Sequence, residues 1–299
     1  MIDEIIQGDS IQLVKQIDNN SIHAIVSDIP YGIGFEDWDV LHNNTNSGYG
    51  GASKAQLEAG KLFKRRGKPL NGWNEADKKM AYEYQEWCES WAGDWFRILK
   101  PGASCFIFAG RRFSHRCVVA LENQGFTFKD MLSWEKNTAP HRAQRLSAIF
   151  ERREDLKNAE NWKNWRVANL RPLFEPILWF QKPYKLGGTI ADNVLKHEVG
   201  AWNETAFQEY LIADMQDKYS NIIKVATTRD DHGLHEAQKP LALMELLISL
   251  VTKEGQTVLD PFVGSGTTCV AAKRLNRHFI GIEIDEQVCQ TAKQRLNNF

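Results

Sequence analysis

The sequence predicts an α/β fold organised around a mostly parallel, doubly wound sheet. Short apolar runs alternate with helical patterns at both ends of the chain of 299 residues. One run, His23–Val26, leads into the segment 27–32, Ser-Asp-Ile-Pro-Tyr-Gly. Another, Gln256–Leu259, leads into the segment 260–268, Asp-Pro-Phe-Val-Gly-Ser-Gly-Thr-Thr. Ligands of open α/β sheets bind beyond the carboxyl ends of the strands, so both segments are candidate binding sites.

The composition is that of a soluble globular protein, with 42% hydrophobic and 25% charged residues. No apolar run approaches the roughly 18 residues of a membrane span, and the first residues lack a signal-peptide pattern. The five cysteines are scattered and form no C-x-x-C pair, which favours reduced thiols over disulfides or zinc. We therefore expect a cytoplasmic protein without a bound metal.

Local charge is more informative than the net charge of −1. Basic residues cluster in the segment 61–68 and again between residues 136 and 171, where Trp162 and Trp165 lie among them. A run of charges is more often an ordinary solvated face, but interleaved aromatic rings favour contact with phosphates. The candidate nucleic-acid contacts are Lys64, Arg65, Arg66, Lys136, Arg142, Arg145, Arg152 and Arg153.

The first elements are predicted to be a strand, a helix and a second strand. The strand pattern covers Ile5–Asp9 and the helix pattern Ser10–Gln16, with Asp9 placed to cap the helix. The second strand ends within the segment 27–32, because Pro30 cannot continue a central strand.

The tip of this second strand carries groups suited to binding an exocyclic amino group. Asp28 and the carbonyl of Ile29 can each accept one of its hydrogens, and Tyr31 offers a face for a flat base. By itself, the segment is equally compatible with an ordinary strand followed by a turn.

The middle of the chain alternates less regularly. Residues 33–77 are polar, glycine-rich and without periodicity, which predicts a mobile loop. A tryptophan stripe, Trp87, Trp91 and Trp95, lies in the helix predicted for Lys78–Leu99 and is interpreted as core. Further patterns predict a strand at Ser104–Phe108, a helix at Phe113–Asn123, and strands at Phe126–Trp134 and Pro176–Phe180.

The second candidate site combines a strand, a glycine turn and a helix, an arrangement that binds nucleotides. Gly264 and Gly266 let the backbone approach a ligand closely. The next strand ends at Glu283, about 20 residues on, where an acidic partner for ribose hydroxyls belongs. Cys269 stands where the dinucleotide fingerprint requires a third glycine, which weighs against NAD, and the sequence has no P-loop motif of an ATPase. Upstream, Leu241–Val251 predicts a buried helix.

Both segments resemble motifs of amino-methylating DNA methyltransferases. The segment 27–32 is similar to their Asp-Pro-Pro-Tyr catalytic motif, with Ile29 in place of the first proline. The segment 260–266, Asp-Pro-Phe-x-Gly-x-Gly, is similar to their S-adenosylmethionine motif. The catalytic motif precedes the cofactor motif, with a variable region between them, and this permuted order resembles the β class of the family. Shorter resemblances occur at 97–102, 134–137 and 239–240.

The resemblance implies a Rossmann-like, S-adenosylmethionine-dependent methyltransferase fold with circularly permuted motif order. Residues 1–137 would form the catalytic half, with 33–77 as a mobile loop that closes on DNA. Residues 138–231 would form an inserted target-recognition region with some scaffold strands, and residues 232–299 the cofactor-binding half. The implied catalytic residues are Asp28, Ile29, Pro30 and Tyr31. The implied cofactor-binding residues are Asp9, Asp28, Lys239, Asp260, Phe262, Gly264, Ser265, Gly266, Thr267, Thr268, Glu283 and Ile284.

The implied activity is transfer of a methyl group from S-adenosyl-L-methionine to N6 of a flipped-out adenine in double-stranded DNA. Aspartate in the first motif position favours adenine, since N4-cytosine enzymes usually carry serine there. Ser27 is set aside because Pro30 and Tyr31 fix the spacing from Asp28. N4-cytosine methylation is the close alternative, and a catalytically inactive DNA-binding module of the same fold is a distant one.

The expected partner is double-stranded DNA, with a cognate restriction endonuclease and a homodimer as further options. The resemblance places such an enzyme in the cytoplasm of a prokaryote, encoded there or by a phage.

Overall fold

The computed structural model describes residues 1–31, 75–139, 143–211, 219–228, 231 and 238–299, with only the backbone described for 75–78. All structural statements refer to these residues. The strands are β1 (Glu4–Gln7), β2 (Ile22–Asp28), β3 (Leu99–Phe108), β4 (Thr127–Glu135), β5 (Gln144–Arg145), β6 (Arg166–Val167), β7 (Phe174–Gln181), β8 (Ile222–Ile223), β9 (Thr257–Asp260) and β10 (His278–Glu283).

The helices lie between and beside these strands. They are α1 (Ser10–Leu13), which continues as a short 3-10 turn (Val14–Gln16), α2 (Glu75–Ile98), α3 (Ser114–Asn123), α4 (Leu146–Glu151), α5 (Leu156–Asn161), α6 (Ile190–His197), α7 (Thr205–Tyr210), α8 (Leu241–Val251), α9 (Thr267–Arg274) and α10 (Glu286–Asn297). Among the described residues, no helix combines the length and the apolar character that crossing a bilayer requires.

Eight strands form one sheet in the order β1-β10-β9-β2-β3-β7-β4-β8. All neighbouring pairs are parallel except those of β7, which runs antiparallel to both β3 and β4. The prediction of a mostly parallel sheet is therefore confirmed, with one reversed strand.

The two ends of the chain interleave in this sheet. Ile5 of β1 pairs with Gly281 of β10, and Ile25 of β2 pairs with Leu259 of β9. Because these strands are parallel, the carboxyl ends of β2, β9 and β10 meet at the same edge. That edge brings the two sequence segments, 27–32 and 260–268, into one neighbourhood.

Helices cover both faces of the sheet, as the doubly wound prediction requires. On one face, α8 is buried along nearly its whole length and packs with α9 in a cluster that includes Phe106 and Val258. On the other face, Trp91 and Trp95 of α2 pack with α3 in a second cluster. Because helices bury both faces of the sheet, polar side chains that could bind a ligand lie at the ends of the strands.

Several helices and strands begin at residues other than those predicted. Residues 33–74 of the predicted loop lie outside the described residues, and 75–77 already belong to α2. The strand β3 begins at Leu99, before the Pro-Gly pair, and its register against β2 shifts by a bulge. Gly102 has φ +86° in that bulge, and a side chain there would clash with Asn193. A glycine can therefore continue the strand through a bulge where sequence patterns predict a break.

The region between 138 and 231 contributes to two structures. The strands β7 and β8 join the main sheet, whereas β5 and β6 form a separate two-stranded sheet beside α4 and α5. Its assignment as a target-recognition region stays a prediction.

Candidate active site

A cavity of about 410 Å³ opens at the carboxyl edge of the sheet. Residues from both ends of the chain line it, from Gly8 and Asp28 to Asp260 and Glu283. All the predicted cofactor residues except Gly266 border this cavity. The two sequence segments share one space because their strands, β2 and β9, are hydrogen-bonded neighbours.

Asp260 is held at the end of β9 by neutral donors. Its carboxylate is almost fully buried and accepts hydrogen bonds from Ser27 Oγ at 2.6 Å, Thr268 Oγ1 at 2.6 Å and the Phe262 amide at 3.1 Å. Burial raises the pKa of Asp260 to about 6, because hydroxyl and amide donors only partly replace water around the charge. Asp260 therefore ties the end of β2 to the glycine turn.

Glu283 fixes the glycine turn from the end of β10. One carboxylate oxygen accepts from the Gly264 amide at 3.0 Å and the other from the Asp285 amide at 3.0 Å. Each oxygen retains a further lone pair, so the side chain can still accept hydrogen bonds from a ligand in the cavity.

Gly266 lies in the turn before α9. It adopts φ +84° immediately before α9, and a Cβ there would lie 3.2 Å from the Cβ of Ala292. The described cavity lining does not include it. The turn and the packing of α10 explain this glycine, whereas Gly264 with φ +50° does border the cavity.

Asp9 serves as a helix cap and also borders the cavity. Its Oδ1 accepts from the Ile11 amide at 2.9 Å at the start of α1. The predicted helix cap is confirmed. The contact of Asp9 with the cofactor stays a prediction, and its place on the cavity wall is compatible with it.

Asp28 lies at the end of β2 within a group of charged side chains. Tyr31 donates its hydroxyl to Asp28 Oδ1 at 2.9 Å, and the Lys239 ammonium donates to Oδ2. Burial raises the pKa of Asp28 and outweighs the opposing charge of Lys239. Burial alone would lower the pKa of Lys239, but Asp28 and Glu175 outweigh it and raise that pKa.

Glu175, near the start of β7, is the residue that the sequence analysis missed. Its carboxylate accepts from Tyr31 and Lys136 and lies 3.2 Å from the Lys239 ammonium. Burial alone would raise the pKa of Glu175, but the two ammonium groups outweigh it and lower the pKa to about 2. The sequence did contain one indication of its role, because Glu175 is a charged residue at the start of the apolar strand Phe174–Gln181.

The other predicted catalytic residues have distinct surroundings. The Ile29 side chain is buried in the core, so only its backbone can take part in chemistry. Pro30 borders the cavity, and its carbonyl accepts from Tyr84 at 3.3 Å. Tyr31 is not part of the described cavity lining and lies close against Gly110, where an added Cβ would come within 2.9 Å of Tyr31 Cβ.

Trp87 packs against the core, as predicted for the tryptophan stripe, and also reaches the cavity. Trp91 and Trp95 are core residues as predicted, whereas Trp87 borders the cavity and lies 5.7 Å from the Phe262 ring, centroid to centroid. The tryptophan stripe on α2 therefore packs in the core at one end and borders the cavity at the other. Helical periodicity alone does not predict where this change occurs.

The predicted nucleic-acid contacts fall into three groups. Lys136 belongs to the charged group around Glu175. Arg145, Arg152 and Arg153 are exposed, on the part of the chain that also exposes Trp162 and Trp165. The remaining candidates lie outside the described residues: Lys64, Arg65, Arg66 and Arg142.

The chain is similar to DNA methylases over nearly its whole length. A family model described as DNA methylase matches residues 22–294. The Type II methyltransferase M.HindIII of Haemophilus influenzae is 65% identical over 296 residues, which cover 99% of this chain and 96% of that protein.

Solved structures share the fold. A DNA modification methylase from Thermus thermophilus, complexed with S-adenosyl-L-methionine, is 19% identical with a TM-score of 0.58, over 98% of this chain and 94% of that one. The PvuII DNA methyltransferase, described as cytosine-N4-specific, is 16% identical with a TM-score of 0.60, over 99% of this chain and 90% of that one. These likenesses confirm the predicted methyltransferase fold.

Proposed function

The chain belongs to the DNA methylase family, and on that basis we propose that it methylates N6 of an adenine extruded from double-stranded DNA. S-adenosyl-L-methionine is the methyl donor.

The residues around the cavity fit this donor. The volume of about 410 Å³ is typical of small-molecule sites. Asp9 and Glu283 offer carboxylates to hydroxyl and amino groups, while Phe262 and Ile284 offer apolar surface to a ring. When bound, S-adenosyl-L-methionine supplies a methyl group on a positively charged sulfur, which is already a good electrophile.

Asp28 and the Ile29 carbonyl act on the target base. The amino nitrogen of adenine is a poor nucleophile, because its lone pair is delocalised into the ring. By accepting the two amino hydrogens, these groups help to localise that lone pair. A charge-assisted hydrogen bond of this kind contributes about 1.5–3 kcal/mol, and orientation in the site can contribute about 7–11 kcal/mol.

The placement of Ser27 carries the assignment to adenine. Ser27 is fully buried, and its hydroxyl is engaged as a donor to Asp260 at 2.6 Å. The described lining of the cavity includes Asp28 but not Ser27. This supports aspartate, rather than serine, as the first residue of the catalytic motif.

The base must leave the duplex before it can reach this site, at a cost of a few kcal/mol. Stacking on an aromatic ring such as Tyr31 offsets about 1–3 kcal/mol of that cost. The exposed basic and aromatic surface formed by Arg145, Arg152, Arg153, Trp162 and Trp165 is suited to contact with the DNA backbone.

N4 of cytosine is the second candidate target. The fold of the cytosine-N4-specific PvuII enzyme covers 99% of this chain, so the same scaffold accommodates that reaction in a related protein. Both targets are exocyclic amino groups, and the same two acceptors would serve either.

Analysis of methylated nucleosides tests the proposal. Unmethylated duplex DNA is incubated with the purified protein and S-adenosyl-L-methionine, digested to nucleosides and examined by mass spectrometry. N6-methyldeoxyadenosine is the expected product. N4-methyldeoxycytidine would overturn the choice of base, and an unmodified digest would favour an inactive DNA-binding module.

The similarity to a Type II methyltransferase also supports a cognate restriction endonuclease as a functional partner in a bacterial cytoplasm. Cutting of host DNA by that nuclease only when this protein is removed would support the pairing.

A further inference from the structure

The antiparallel direction of β7 brings Glu175 to the catalytic edge. Asp28 pairs with Phe108 at the end of β3, and Phe108 pairs with Ile177 of β7. Because β7 runs in the opposite direction, its amino end meets the carboxyl ends of β2, β3 and β4. Glu175, two residues before Ile177, therefore lies beside Asp28.

Glu175 and Asp28 share two hydrogen-bond donors. The Tyr31 hydroxyl, which has a single hydrogen, lies within hydrogen-bond distance of both carboxylates, and the Lys239 ammonium contacts both. Lys136 contacts Glu175 from the end of β4. The two carboxylates and two ammonium groups balance in charge, in a place where the side chains of Lys239 and Glu175 are 6% and 10% exposed.

We propose that Glu175 is a positioning residue that keeps Asp28 oriented and able to accept a hydrogen from the target amino group. This inference rests on the proposed amino methylation. Because Glu175 also contacts the Lys239 ammonium, Lys239 is shared between the carboxylates of Glu175 and Asp28. Without Glu175, Lys239 would pair with Asp28 alone and compete with the incoming amino group for its oxygens.

The charge of Glu175 also affects the titration of Asp28. Like charges disfavour ionisation, so Glu175 raises the pKa of Asp28 while Lys239 lowers it. The titratable groups that face Asp28 from the elements around it are Tyr31, Glu175, Lys239 and, more distantly, Asp260.

Glu175→Gln tests the proposal, because it keeps the shape and removes the charge. We expect kcat to fall about 10- to 100-fold, with KM for DNA and for S-adenosyl-L-methionine nearly unchanged. The acid limb of the kcat–pH profile should move to lower pH, since Asp28 loses a like-charged neighbour. Glu175→Asp keeps the charge, so its acid limb should stay near the wild-type position and kcat should recover in part.

Glu245→Gln is the matched control. The Glu245 side chain is also 10% exposed and pairs with Arg274 at 3.0 Å, but it lies on α8 outside the charged group around Asp28. We expect wild-type kcat and an unchanged pH profile from this variant.

Calorimetric binding of S-adenosyl-L-methionine and thermal unfolding of each variant separate positioning from folding. Wild-type kcat in Glu175→Gln, or an equal fall in Glu245→Gln, would overturn the proposal. If Glu175→Gln does not fold, Glu175→Asp decides: an acid limb moved away from the wild-type position in that variant would overturn it. The product of the wild-type enzyme is identified in the same assays, so an error in the target base is recognised independently.

Discussion

Two buried carboxylates at the same sheet edge have opposite pKa shifts. Glu175 has two lysine partners, and its pKa falls to about 2. Among the described residues, Asp260 has only hydroxyl and amide donors, and its pKa rises to about 6. As whole residues the two are 8% and 3% exposed, so burial does not explain the difference. The charge of the partners decides it.

The difference matches a division of tasks across the cavity. Around Asp28 and Glu175, two lysine ammonium groups offset the charges of two carboxylates. Around Asp260, neutral donors fix the glycine turn without adding charge to the cofactor cavity.

Asp28→Ala should lower the methyl-transfer rate by about 10²–10³-fold or more, because it removes a group that faces the reacting nitrogen. Binding of S-adenosyl-L-methionine, measured by calorimetry, should change little. Asp18→Ala, an exposed position, is the control. Full activity in Asp28→Ala would end the catalytic assignment.

Lys239→Met should lower the free energy of unfolding by about 3–5 kcal/mol at neutral pH, because it leaves the buried Glu175 and the partly buried Asp28 without their shared ammonium. Urea denaturation measures the effect. Lys253→Met removes an exposed lysine and should change stability little. Equal stability of the two variants would contradict the claim that Lys239 stabilises the carboxylates of Asp28 and Glu175.

Glu283→Ala should weaken binding of S-adenosyl-L-methionine by about 10- to 100-fold, the loss expected for a hydrogen bond to a charged group. Glu283→Gln keeps an oxygen for the Gly264 amide and separates loss of the turn from loss of the ligand contact. Unchanged calorimetric affinity in Glu283→Ala would count against this role.

Asp260→Asn should flatten the pH dependence of stability. The raised pKa means that the folded protein binds a proton more tightly than the unfolded chain, so this group's contribution is present below about pH 4 and is lost as the pH rises through about 6. Relative to the variant, the wild type should lose about 2 kcal/mol between about pH 4.5 and 7. The free energy of unfolding of the wild type and of Asp260→Asn is measured by denaturation at each pH. An equal dependence on pH in both proteins would contradict the raised pKa of Asp260.

Local sequence patterns predicted the parts of the site that lie in continuous segments. Asp28 and Asp260 each follow an apolar strand, and the parallel sheet brings them together as expected. Glu175 was missed because its importance comes from the reversed strand β7, which places it beside distant residues. The place of Trp87 on the cavity wall was not predicted, because a helical stripe does not show where it meets a cavity.

Hydrogen–deuterium exchange with and without S-adenosyl-L-methionine tests most directly whether both ends of the chain build one cofactor cavity. If both ends do so, exchange becomes slower in residues 8–11 and in residues 262–268 together, with no change in the helix Leu156–Asn161. Slower exchange at only one end of the chain, or mainly in Leu156–Asn161, would contradict it.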